Sequence, residues 1–124
     1  MHRERPVNLA LTKFSFPLAA IASITHRITG VVLFGGMAVL LYLLGLALRS
    51  PDGFAEAHAL VAMPIVKLVL LAIVAALVFH IVAGVKHLFL DFHIGDSLEG
   101  GRLGAQLSFG ITAILVALAG AWLW

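Results

Sequence analysis

From Ile28 to Leu48 the chain carries no charged residue, and two further runs of the same kind follow in its second half. Each run is about the length needed to cross a hydrocarbon layer roughly 30 Å thick. Hydrophobic residues make up 62% of the 124 positions and charged residues 11%, and that excess is concentrated in the three runs. A soluble domain built from such helices would be apolar on every face and would lack a wetted surface. The expected architecture is therefore all-α: an integral membrane protein with three transmembrane helices and an N-terminal interfacial arm.

The chain reads as one membrane-anchor domain over residues 1–124. Met1 to about Pro17 is polar to amphipathic, with Arg3, Glu4, Arg5 and Lys13 interleaved with Leu9, Leu11, Phe14 and Phe16. Residues 1–22 are expected to lie on the cytoplasmic side or in the interface. Pro17 should break or start a helix. Spans are expected over about 23–48, 63–85 and 103–124. Arg49-Ser50-Pro51-Asp52-Gly53 reads as a turn between the first two, and Lys86 to Arg102 as a polar loop before the third. Ala20-Ile21-Ala22 resembles a signal cleavage site, but the long apolar run follows it instead of preceding it, so no cleavage is expected.

The basic residues set an orientation. Four of the eight Lys/Arg lie between the start and Arg27, and Lys86 and Arg102 join them after the second span. Arg49 and Lys67 fall on the other side. The positive-inside rule then places the N-terminus in the cytoplasm and the C-terminus outside, with Trp122 and Trp124 as interfacial anchors. The composition also removes several functions. Without cysteine there are no disulfides, thiolate metal sites, iron–sulfur ligands or covalent haem attachment. The net charge of +2 is dispersed, which gives no support for nucleic-acid binding. Gly100-Gly101-Arg102-Leu103-Gly104 follows no strand and is no dinucleotide fingerprint.

An ionisable residue inside a span needs a reason to be there. His80 lies six positions before Lys86, roughly 9 Å inside the boundary on a helical rise. Its helical face carries Ala76, Ala83, Gly84 and His87, a near absence of bulk that would clear space for a flat macrocycle held by the imidazole. A packing seam with a hydrogen-bonded histidine is the plainer reading. At the opening of the first span, Ser23, His26 and Arg27 place a hydroxyl, an imidazole and a cation at the depth of His80 and His87. Such groups suit haem propionates or quinone carbonyls. Anchorage of Arg27 on lipid phosphate is the plainer reading there.

These residues resemble a known family. Arg5-Pro6-Val7-Asn8-Leu9 followed by Ser23-Ile24-Thr25-His26-Arg27-Ile28-Thr29 is similar to the R-P…S-x-x-H-R-x-[ST] signature of the cytochrome b (large) membrane-anchor subunit of succinate dehydrogenase, respiratory complex II. His80…Gly84-Val85-Lys86-His87…Asp91 resembles its second signature, H-x-x-x-G-x-R-H-x-x-x-D. Lys86 stands where the family usually has Arg, keeping the charge without the planar fork, and the match is loose at Leu90 and His93. Ser50-Pro51-Asp52-Gly53-Phe54 also looks like the family's turn.

The resemblance implies a set of roles. His80 would be an axial ligand of haem b iron, with the other ligand supplied by a second membrane-anchor subunit. His26, Arg27 and His87 would lie at the haem propionates, and Ser23 and Arg27 at the site of ubiquinone reduction. Iron–sulfur and flavoprotein subunits would dock on the cytoplasmic face and supply electrons from succinate, a reaction this chain cannot perform alone. The implied location is a bacterial inner membrane, which the short chain and the lack of a transit peptide favour. Alternatives are the anchor of a related fumarate reductase, a haem-free structural subunit, or a small transporter. The last is disfavoured because no span is broken at its midplane or carries an acidic residue.

Overall fold

The computed structural model describes residues 17–124, so the expected N-terminal arm, apart from its last residues, lies outside the described part. Four helices follow in order: α1 Leu18–Arg49, α2 Pro51–Ala62, α3 Pro64–Asp91 and α4 Leu98–Leu123. No strand occurs among the described residues. Helices α1, α3 and α4 are each long and apolar enough to cross a membrane. At 32 residues α1 extends about 48 Å, more than the hydrocarbon thickness, so its ends reach into the interfaces.

Helix α1 begins where Pro17 predicts a boundary, with that residue extended at the N-cap and its carbonyl accepting from the Ala20 and Ile21 amides. The segment read as a turn at Arg49–Gly53 is a sharper joint than expected, because only Ser50 interrupts the helices. Ser50 Oγ accepts from the Gly53 amide at 2.9 Å, and Pro51 occupies the first turn of α2. A serine cap with proline directly behind it starts a helix instead of ending one. Helix α2 then lies against the end of α1, burying Gly53 and Ala57. A Cβ on Gly53 would collide with the Leu46 carbonyl, so this close approach requires glycine.

The region read as a loop from Lys86 to Arg102 is mostly helical. α3 continues through Lys86 and His87 to Asp91, since a charge marks the membrane edge without breaking the helix. Its end is a Schellman closure: Ile94 N–H donates to the Phe89 carbonyl and His93 N–H to the Leu90 carbonyl, both at 2.9 Å. His93 takes the left-handed conformation at φ 59°, with its ring 3.3 Å from the Asp96 carboxylate. Ser97 caps α4 by accepting from the Gly100 amide at 3.0 Å.

Most of the buried apolar side chains are alanines. Ala22 of α1, Phe79 and Ala83 of α3 and Ala105 of α4 meet in one buried cluster, flanked by Leu18 and Phe109. Larger apolar residues face outward, Phe34 and Trp122 each 86% exposed. Lipid removes the hydrophobic penalty for that exposure, so the helices associate through close backbone approach and van der Waals contact. The α4 hydroxyls stay within their own helix: Ser108 donates to the Gly104 carbonyl at 2.8 Å and Thr112 to the Ser108 carbonyl at 2.6 Å. At the far end Lys67 Nζ lies 5.5 Å from the Trp124 ring, tying the start of α3 to the end of α4.

Candidate functional site

The antiparallel register of α1 and α3 decides which polar groups can meet. Gly36 faces Ile73, Gly30 faces His80, and His26 faces Gly84. Ala19 of α1 approaches Gly101 at the start of α4, and Lys86 approaches Gly104. The start of α1, the end of α3 and the start of α4 therefore share one end of the bundle. His26, His80 and His87 come together near it.

His26 and His80 stack face to face, with centroids 4.0 Å apart and planes 6° from parallel. His87 meets the His26 ring edge-on at 5.1 Å and 65°. Glycine on both helices permits this. A Cβ on Gly30 would lie 3.2 Å from His80 Cε1, and one on Gly84 would lie 3.7 Å from His26 Nε2. His80 Nδ1 lies 3.1 Å from the His26 carbonyl oxygen and 3.2 Å from Thr29 Oγ1. A carbonyl can only accept, so Nδ1 carries the hydrogen and donates to it. The Nε2 lone pair of His80 is then available as a ligand.

The three rings do not converge on a point, and among the described residues no group of three metal-ligating side chains does so. A metal taken here would bind one imidazole and bring its other donors with it, as the iron of a porphyrin does. His80 fits that requirement, with one nitrogen held by backbone and the other a lone pair. Two of the small residues of its face serve differently from the expectation. Ala76 and Ala83 are buried, and Ala83 packs in the core cluster, so they are a helix-packing seam and do not clear a macrocycle. The clearance beside the imidazoles comes from Gly30 and Gly84.

Ser23 and Arg27 are one helical turn apart. Ser23 is half-buried and Arg27 is exposed. Arg27 shares its side of α1 with Val31 and Phe34, 75% and 86% exposed, so this chain leaves that side uncovered. No hydrogen bond or ion pair among the described residues ties Arg27 to the imidazoles. Lys86 also points elsewhere, its stem lying along Gly104 of α4. There it borders a groove of about 380 Å³ between α3 and α4, walled by Val85, Phe89, Leu103 and Leu107. Thr29 stands at the Ser/Thr position of the first signature, where the sequence assigns it no role of its own. It is buried, and its hydroxyl bonds the same carbonyl as His80.

The fold and site define a class: a small all-helical membrane subunit with paired imidazoles near one end and an open side that three spans cannot close. A family model described as the succinate dehydrogenase/fumarate reductase transmembrane subunit matches residues 1–119. The chain is 42% identical over 125 residues to the succinate dehydrogenase cytochrome b556 subunit of Coxiella burnetii, covering the whole of both chains. It is 34% identical over 115 residues to the protein of that name from Paracoccus denitrificans, covering 93% of this chain and 88% of the relative. With the protein of that name from Rickettsia typhi the identity is 31% over 99 residues, covering 80% and 77%. The chain belongs to this family, as a cytochrome b-type membrane-anchor subunit of succinate dehydrogenase.

Proposed function

We propose that His80 would hold haem b, that a second membrane subunit would share it by supplying the other histidine ligand, and that Ser23 and Arg27 form part of a ubiquinone-reduction site. The observation that carries the proposal is the state of His80, whose Nδ1–H is engaged by the His26 carbonyl while Nε2 keeps its lone pair. Haem b would contribute a one-electron store between the succinate-oxidising subunits and the quinone. His26 and His87, in contact with each other beside His80, would bind its propionates together with Arg27. The open side of α1 at Arg27 is where the second membrane subunit belongs, because a guanidinium at the edge of hydrocarbon needs partners.

Ubiquinone accepts two electrons and two protons to become the quinol. The electrons come from succinate through flavoprotein and iron–sulfur subunits docked on the cytoplasmic face. The Ser23 hydroxyl donates a hydrogen bond to one quinone carbonyl, and Arg27 stabilises the negative charge that develops on the quinone oxygens. The N-terminus lies in the cytoplasm and the C-terminus in the periplasm of a bacterial inner membrane. In the sequence, four of the eight Lys/Arg fall at or before Arg27, and Lys86 and Arg102 flank the connection from α3 to α4, which supports that orientation. The subunit names of the relatives favour succinate oxidation over fumarate reduction as the working direction.

The test uses the purified complex. A reduced-minus-oxidised spectrum should show a low-spin b-type haem, and its absence would leave a structural anchor. Ser23→Ala and Arg27→Leu should each lower quinone reduction by roughly 10²-fold, the usual effect of removing one preorganised donor. Near-normal rates in an intact assembly would remove both residues from the site.

A further inference from the structure

Three distances close a small triangle behind His80. Thr29 Oγ1 lies 2.8 Å from the His26 carbonyl oxygen and 3.2 Å from His80 Nδ1, and Nδ1 lies 3.1 Å from that same oxygen. Only one arrangement of hydrogens satisfies all three contacts. The carbonyl has no hydrogen to give, so it accepts from both neighbours. Thr29 O–H points at the carbonyl, which turns an oxygen lone pair toward Nδ1, and Nδ1–H is shared between the two oxygens. With the hydrogen on Nε2 instead, the Nδ1 lone pair would face the carbonyl oxygen. Thr29 would then have to abandon the carbonyl to donate to the ring. The side chain is buried, so water is a poor substitute in either role.

We infer that Thr29 is a positioning residue for the haem ligand: its hydroxyl holds His80 in the Nδ1–H tautomer and fixes the plane of the ring, leaving Nε2 aimed at iron. This rests on the proposed ligation by His80. Threonine in a span ordinarily bonds its own helix, so its place in the signature does not by itself reveal this role. Thr29 does that too, bonding the carbonyl three residues back. Its second contact crosses to α3 and exists only because Gly30, the next residue, lets the ring come within 3.2 Å of where a Cβ would stand. Partners behind a ligating imidazole typically contribute 10–100-fold to metal affinity.

The experiment compares Thr29→Val, which keeps the shape without the hydroxyl, and Thr29→Ser, which keeps the hydroxyl with less volume, in the purified complex. Two quantities are read: the rate of haem loss to a haem-scavenging protein, and the low-spin ferric electron paramagnetic resonance signal, which reports the axial ring plane. Thr29→Val should lose haem about 10-fold faster and shift the signal, and Thr29→Ser should restore both. A valine variant indistinguishable from wild type, or equal loss in both variants, would make Thr29 a packing residue and overturn the inference. His80→Ala is run alongside. If it keeps the low-spin signal, the proposed ligation itself fails; if it loses the signal while Thr29→Val is silent, only the positioning role fails.

Discussion

A methyl group added at Gly30 would stand 3.2 Å from His80 Cε1 and 3.8 Å from Nδ1. Carbon atoms prefer about 3.5–4.0 Å, so the ring must retreat by about 0.3 Å or more. Its bond to the His26 carbonyl is already 3.1 Å long. The ordinary range ends near about 3.2 Å, so the same displacement weakens or breaks that bond. Against this, alanine is favoured over glycine in a helix by about 0.8–1.0 kcal/mol, while crowding a packed position costs about 1–3 kcal/mol. Gly30→Ala should therefore change overall stability by no more than about 2 kcal/mol and act mainly on the imidazole. Gly30→Leu cannot fit beside the ring. Gly35→Ala, with none of the described residues within 4 Å of the added methyl, separates the helix-propensity effect from the contact. The assay is haem content and low-spin spectrum per assembled complex. The expected series is Gly35→Ala unchanged, Gly30→Ala shifted and Gly30→Leu depleted of haem. A Gly30→Leu complex with a normal spectrum would refute the contact between α1 and the ligand.

Ala105 is fully buried among Ala22, Phe79 and Ala83. Ala105→Leu should destabilise the bundle by about 1–3 kcal/mol, read as a lower denaturant midpoint or a lower yield of complex, and an unchanged midpoint would show that the core is looser than its burial implies. Ser50→Ala removes the cap of α2, bonded to the Gly53 amide at 2.9 Å. It should cost about 0.5–2 kcal/mol locally, measured as faster amide hydrogen exchange in the first turn of α2, with Ser50→Thr close to wild type. Arg27→Lys keeps the charge without the fork, so its quinone reduction should fall between those of wild type and Arg27→Leu. Equal rates for the lysine and leucine variants would deny the charge any role.

The three spans were legible because uncharged runs of that length have few other uses, and lipid tolerates the outward Phe34 and Trp122 that water would not. Helix α2 was missed although its signals were present. Ser50 and Pro51 resemble breakers between spans, yet serine at the cap with proline at the next position begins a helix. Charge at Lys86 suggests that α3 ends there and a loop runs to Arg102, whereas the stop chemistry lies at His93 and Gly95. At the site, the pairing of α1 with the end of α3 followed from antiparallel spans, and it brought His26, His80 and His87 together. The role given to Ala76 and Ala83 did not follow, since composition cannot say whether a small residue faces a ligand or the next helix. Thr29 is named by the signature, but its contact with His80 depends on the register of two helices, fixed by Gly30 and Gly84, which no local pattern shows.

Direct ligation by the imidazole on α3 is best tested by removing that ring and supplying it again. In a His80→Gly complex the low-spin b-type spectrum should disappear, and free imidazole diffusing into the vacated position should bring it back. A His80→Gly complex that keeps the full wild-type spectrum without added imidazole would place the iron on some other residue and contradict the account.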